Sequence, residues 1–169
     1  MSSEISYFSI GSNLGDRLNN LIKVIDIMSK TKNFKLIDYS NIYETSPVGF
    51  IDQSDFLNMV LKYEIFNMSG KKLLYKIKKI EEDMGRTKSE RWGPRLIDID
   101  ILIFGNERIN EDFLKIPHKE MFNRAFVMIP LKEVFNNNEL YDIPFENIIN
   151  KCSDKNTVLF YKSRDCVKT

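Results

Sequence analysis

Cysteine, histidine and tryptophan are scarce in this 169-residue chain, at two, one and one. The cysteines, Cys152 and Cys166, lack Cys-x-x-Cys spacing. That excludes a disulfide framework and a zinc centre and leaves buried or idle thiols. A lone imidazole, His118, excludes sites built on two histidines. No apolar run approaches the ~20 residues of a membrane helix. The start, Met1-Ser2-Ser3-Glu4, lacks the basic-then-apolar order of a secretory signal. A cytoplasmic protein without membrane contact is expected. Excess charge is missing too: 25 Lys and Arg face 24 Asp and Glu, for a net +1. That balance argues against a general polyanion binder. There is no internal repeat or linker, and the one low-complexity patch, Asn136-Asn137-Asn138, reads as a surface loop.

What is present suits one domain over residues 1–169, large enough to bury a core without staples. The neutral total hides an asymmetry. Residues 70–96 hold nine basic side chains against four acidic ones, so an anion-handling surface is expected there.

Residues 5–10 read as a strand ending in the turn residues Gly11, Ser12, Asn13 and Gly15. Leu18, Leu21, Ile22, Ile25 and Met28 then recur at helical spacing. Residues 34–45 read as a second strand, stopped by Ser46-Pro47 and Gly49. Leu57, Met59, Leu61, Tyr63 and Ile65 alternate with other residues, the period of a half-buried strand that turns Phe56 and Asn58 to its other face. Ser69 caps a second helix with the stripe Leu73, Ile77, Ile80 and Met84, and Gly85 stops it. Residues 96–104 form a β-branched fourth strand. This order predicts an α+β fold, a ferredoxin-like βαββαβ sandwich with both helices on one sheet face. C-terminal additions follow: a short helix over 121–127 ended near Pro130, and a strand over 157–161.

The fourth strand carries the chemistry. In Ile97-Asp98-Ile99-Asp100-Ile101-Leu102-Ile103 the odd positions are isoleucines assigned to the core, so Asp98 and Asp100 share the opposite face, Cα atoms about 6–7 Å apart. Two like charges there demand a cation. Arg91 and Arg95 are available as ion-pair partners; Mg²⁺ is the other reading, since it takes a few carboxylates and leaves positions for phosphate. The preceding basic loop, residues 86–95, favours the metal, because guanidiniums beside a metal site suit a polyphosphate. Trp92 on that loop can close over a planar ligand or simply pack.

The run Arg91-Trp92-Gly93-Pro94-Arg95-Leu96-Ile97-Asp98-Ile99-Asp100-Ile101-Leu102 resembles the signature of the 6-hydroxymethyl-7,8-dihydropterin pyrophosphokinases of folate biosynthesis. The similarity extends to Ile10-Gly11-Ser12-Asn13-Leu14-Gly15-Asp16, to Tyr43-Glu44-Thr45-Ser46-Pro47-Val48-Gly49 and to Asp52-Gln53-Ser54-Asp55-Phe56-Leu57-Asn58. Ile116-Pro117-His118 and Asn123-Arg124 also match in order. The resemblance implies transfer of the pyrophosphoryl group of ATP to the pterin hydroxymethyl oxygen, giving AMP. It implies Asp98 and Asp100 as ligands of Mg²⁺, two ions with ATP, and Arg86 and Arg95 as transition-state clamps. Lys78, Glu81, Lys88, Arg91, Trp92, Ile101, His118, Lys119 and Arg124 are implied on the ATP side. Thr45, Ser46, Val48, Phe56, Asn58, Trp92, Asp98 and Phe126 are implied around the pterin. A monomer is expected, able to associate with other enzymes of the pathway. Phe56 stands where some members carry Tyr, and Ser46 where Pro is common. The loop at 87–90 is one residue shorter than in some members, with Lys88 the candidate for their extra arginine.

Two other classes remain open at this stage. A sheet-based RNA-binding module is one, although the strands lack the basic-Gly-aromatic pattern and no nucleic-acid partner is expected. A metal-dependent nuclease or an ordinary kinase using the same carboxylates is the other.

Overall fold

The computed structural model describes residues 2–47, 52–85 and 93–167. Strand β1 (Ser3–Ser12) runs through an antiparallel sheet and leads into α1 (Arg17–Lys30). Asp16 starts the helix by accepting a hydrogen bond from the Asn19 amide at 3.0 Å, one of the donors a first turn leaves unpaired. The expected strand over 34–45 is two strands, β2 (Phe34–Tyr39) and β3 (Ile42–Thr45), both paired to β4 (Phe56–Phe66). Buried Ser40 makes the break: its hydroxyl donates to the Asn41 carbonyl and accepts from the Val60 amide. Helix α2 (Gly70–Asp83) is capped by Ser69 as expected, and Gly85 follows it at φ +90°. Strand β5 (Asp98–Phe104) returns beside β1.

Along the sheet the order is β10-β3-β4-β1-β5, with β2 also on β4; β10 (Leu159–Lys162) is the anticipated C-terminal strand and pairs with β3. Between β5 and β10 lie a hairpin of β6 (Ile109–Glu111) and β7 (Leu114–Ile116), helix α3 (Ala125–Val134), a hairpin of β8 (Glu139–Leu140) and β9 (Ile143–Pro144), and α4 (Phe145–Lys151). The helix expected over 121–127 is instead a 3-10 turn, Met121–Asn123, followed by α3, which contains Pro130. A proline costs one intrahelical hydrogen bond. Burial of Val127, Met128, Leu131 and Val134 outweighs it and carries the helix on.

Two apolar layers result. On one sheet face Phe8, Ile10, Leu57, Met59, Leu61 and Tyr63 meet α1 through Leu21, Ile25 and Met28, and α2 through Leu73, Ile77 and Ile80. On the other, Tyr7, Val60, Leu102 and Ile103 pack under α3 and α4. This second layer corrects two expectations. Strand β4 is buried on both faces at Val60, not half-buried throughout. Ile103 does not share a face with Ile99 and Ile101, because an irregularity in the β1–β5 pairing shifts the register at Leu102 and turns Ile103 toward α3.

Helices α3 and α4 cover only part of that second face. The uncovered end carries Ser9 and Gly11 of β1, Asn58 of β4, and Asp98 and Asp100 of β5.

Candidate active site

Register alone assembles the floor of the site. Gly11 pairs with Asn58 on one side and with Asp98 on the other, and Ser9 pairs with Asp100. Opposed residues of antiparallel strands point to the same face, so Asn58 and Asp98 flank Gly11 in one row across three strands, and Asp100 stands beside Ser9 in the next row on that face. Gly11 leaves room for Asn58: a Cβ there would lie 2.8 Å from Asn58 Oδ1 and push that side chain from its place. The residue belongs to the strand, and the turn beyond it is served by Gly15 at φ +66°.

Above this floor is a cavity of about 700 Å³. Its walls include Thr45, Ser46 and Phe56 from the β3–β4 side, Arg95, and His118, Lys119, Arg124 and Phe126 from the segment after β7. A smaller cavity of about 240 Å³ adjoins it, sharing Asp100, His118 and Lys119 and adding Lys78, Ile101 and Phe113. Most of the expected site residues are therefore brought together. Glu81 lines neither cavity; its side chain is 1% exposed. One carboxylate oxygen accepts from the Ile99 amide at 2.7 Å and the other from Lys78 Nζ at 2.9 Å. Glu81 thus fastens α2 to the backbone between the two aspartates. Val48, Arg86, Lys88, Arg91 and Trp92 lie outside the described residues.

The two carboxylates of the floor repel one another. Burial first, and the Asp98 carboxylate second, push Asp100 up to about 7, against the pull of Lys78 and Arg124. Asp98 Oδ2 is paired with Arg95 Nη1 at 2.8 Å. His118 is held below its ordinary value by burial and by Arg124. Its Nδ1 accepts from the Glu120 amide at 3.3 Å, which puts the proton on Nε2, 3.9 Å from Asp100 Oδ2. Among the described residues no group of three or more His, Cys, Asp or Glu forms a cage for a cation. Two hard carboxylates on one strand suit Mg²⁺, which takes a few carboxylates and keeps other positions for phosphate and water.

Asparagine 13 organises the rim. Its side-chain oxygen accepts from the Arg95 amide at 2.7 Å, and its own amide donates to the Arg95 carbonyl at 3.1 Å. Its Nδ2 donates to Gln53 Oε1 and to the Ser54 carbonyl, each at 3.0 Å. One buried side chain therefore ties the start of the helical crossover to the segments preceding β4 and β5.

A family model described as 7,8-dihydro-6-hydroxymethylpterin-pyrophosphokinase (HPPK) matches residues 7–136. The chain belongs to the HPPK family. The matched stretch contains every residue lining the two cavities except Ser153 and Asp154. The 2-amino-4-hydroxy-6-hydroxymethyldihydropteridine pyrophosphokinase of Bacillus subtilis is 39% identical over 120 residues, 71% of this chain and 71% of that protein. The bifunctional protein FolKE of Lactococcus lactis subsp. cremoris is 40% identical over 151 residues, 89% of this chain but 43% of its own length. Among solved structures, an HPPK-DHPS of Plasmodium falciparum superposes with a TM-score of 0.65 at 18% identity, over 89% of this chain and 42% of that one. This HPPK-family chain thus spans less than half of the bifunctional relatives. No helix among its described residues is long and apolar enough to cross a membrane.

Sequence reasoning left several wall residues without a role: Ser9, Gln53, Glu120, Asn123, Ser153 and Asp154. Ser9 was recoverable from the alternation of β1, which puts Ser9 and Gly11 on one face. Ser153 and Asp154 had no local signal, since they reach the cavity only through the path of the C-terminal segment.

Proposed function

We propose that the chain transfers the pyrophosphoryl group of ATP to the hydroxymethyl oxygen of 6-hydroxymethyl-7,8-dihydropterin. The new bond joins that oxygen to the β-phosphorus, the bond from the β-phosphorus to the α-phosphate oxygen breaks, AMP leaves, and the hydroxyl proton is released to solvent. The observation that carries this reading is the open end of the sheet, where Asn58, Asp98 and Asp100 face one cavity walled by Arg95 and Arg124.

In this reading Asn58 reads the pterin edge, its Nδ2 held by Thr45 Oγ1 at 2.8 Å. Phe56 and Phe126 hold the ring from either side, with Ser46 and Val48 completing that pocket. Bound Mg²⁺, two ions on Asp98 and Asp100, supplies neutralisation of the triphosphate charge. Arg95 and Arg86 meet the charge that develops on the transferred group, and Arg124, His118 and Lys119 hold the outer phosphates. The smaller cavity, with Lys78, Ile101 and Phe113, takes the rest of the nucleotide. Lys88, Arg91 and Trp92 are assigned to nucleotide contact and closure from the family resemblance alone; Glu81, expected on the ATP side, is assigned by its bond to the Ile99 amide to holding the backbone between Asp98 and Asp100.

The strand order supports reading the fold as ferredoxin-like, with residues 1–169 as one domain. Two free cysteines suit a reducing, cytoplasmic setting. A monomer is proposed, able to dock with other folate-pathway enzymes; bifunctional relatives support that association.

The test is the nucleotide product with ATP, Mg²⁺ and the reduced pterin. AMP is expected; ADP would make the protein an ordinary kinase, and absence of turnover with salt-sensitive RNA retention would make it a binding module. For the pterin pocket, Asn58→Ala and Phe126→Ala are each expected to weaken pterin binding by about 1–3 kcal/mol, the scale of an unpaired buried hydrogen bond or a lost stack. ATP binding without pterin should stay as it is. Titration calorimetry decides, and unaltered pterin affinity in both variants places the pocket elsewhere.

A further inference from the structure

The residues that present Arg124 and Phe126 to the cavity are gripped by a segment outside the stretch matched by the family model. Arg124 is the N-cap of α3, yet it makes no side-chain capping bond. The first two amides of the helix find their acceptor elsewhere: Asp154 Oδ1 takes the Ala125 N–H at 2.8 Å, and Asp154 Oδ2 takes the Phe126 N–H at 3.4 Å. A carboxylate is well suited there, because those donors have no partner within the helix and the helix dipole favours a negative charge.

Asp154 is itself fixed. Its carbonyl accepts from the Thr157 amide at 3.0 Å and the Thr157 hydroxyl at 2.8 Å. Two residues earlier, Cys152 is buried, its Sγ 3.4 Å from the Ile148 carbonyl and 3.5 Å from the Phe122 carbonyl. The C-terminal segment thus packs Cys152 beside Phe122 and holds the backbone just after Arg124 through Asp154. The Arg124 guanidinium lies 5.7 Å from the centre of the Phe126 ring, and both side chains line the large cavity.

We propose that Asp154 is a positioning residue of the active site, setting the places of Arg124 and Phe126 through the backbone amides at the start of α3. The inference rests on the proposed function for what those two side chains bind, while its geometry stands apart from that reading. A small rotation of the first turn would move the arginine and the ring together, so losing the grip affects both substrates at once. Positioning errors of this kind weaken sites whose contacting residues are intact.

The experiment compares wild type, Asp154→Ala and Asp154→Asn. Amide hydrogen exchange at Ala125 and Phe126 is expected to speed up at least about tenfold in Asp154→Ala; in Asp154→Asn, whose one side-chain oxygen still accepts, the Ala125 amide should return near wild type while Phe126, held by the longer bond, stays faster. In calorimetry, Asp154→Ala should weaken both pterin and ATP binding by about three- to tenfold, with Asp154→Asn within about twofold of wild type. Unchanged exchange at those amides in Asp154→Ala overturns the proposal. So does faster exchange with both affinities intact, which leaves only a structural role. If Asp154→Asn loses affinity as badly as Asp154→Ala, the carboxylate acts directly on a ligand and positioning is wrong. A wild type that binds neither substrate refutes the functional reading instead, and the exchange result still reports whether Asp154 holds the turn.

Discussion

Asp100→Asn is expected to lower turnover by about 10³-fold or more while making the ligand-free protein more stable. The catalytic loss follows from the proposed role: removing one of two carboxylates that hold Mg²⁺ forfeits several kcal/mol of charge stabilisation in the transition state. The stability gain follows from the Asp100 pKa of about 7, raised by burial and by Asp98. A carboxyl whose folded value lies above its unfolded one binds its proton more tightly when folded. Wild type therefore loses stability as pH rises from about 4 to about 7, and the deficit persists above that. Asparagine carries no such deficit. Thermal melts should coincide at pH 4 and separate by pH 8, where the variant leads by about 1–2 kcal/mol. The figure sits well below the full linkage value because 33% of the Asp100 side chain remains open to water. That lead corresponds to about 2–8 °C for a chain of this size. Asp98→Asn should match the loss of turnover. Near-normal rates in either variant at ordinary Mg²⁺ would remove the metal assignment, and a stability gap that fails to close at pH 4 would mean that Asp100 ionisation is not its origin.

Arg95→Lys should lower kcat by about tenfold to a hundredfold while changing the KM for ATP less than about threefold. The residue is unusually well fixed for a rim arginine. Asn13 holds both its amide and its carbonyl, and Asp98 takes one arm of the guanidinium. Lysine preserves the charge but replaces a rigid planar fork with a single flexible ammonium. It cannot pair with Asp98 and meet a second oxygen in the same geometry. Steady-state kinetics with saturating pterin separate the two constants. A rise in KM with kcat intact would make Arg95 a simple binding residue.

The parts legible in the sequence were those with a local signature. Alternation in β4 put Phe56 and Asn58 on one face, and Ser69 and Gly85 marked the ends of α2 by capping chemistry. Asp98 and Asp100 stood out because charge on an apolar strand demands a reason. Long-range effects account for the rest. The break at Ser40 depends on a hydroxyl serving a neighbouring strand, and α3 continues past Pro130 because of the apolar face beneath it. The turn of Ile103 toward α3 comes from a register shift against β1, invisible in the regular spacing of the isoleucines. Asp154 reaches the site from a segment whose own sequence says nothing about where it will lie.

The row Asn58–Gly11–Asp98 gives the proposed reaction a ruler. Neighbouring strands are held about 4.8 Å apart by their hydrogen bonds, so the backbone positions of the amide proposed to read the pterin and of the carboxylate proposed to hold the metal are separated by two such steps, about 9–10 Å. Side chains and loops can close over the substrates, but none of them can stretch that interval without breaking the pairing of three strands at once. The reach from ring edge to reacting oxygen is thereby graduated in backbone units, and discrimination by arm length becomes a property of the sheet itself.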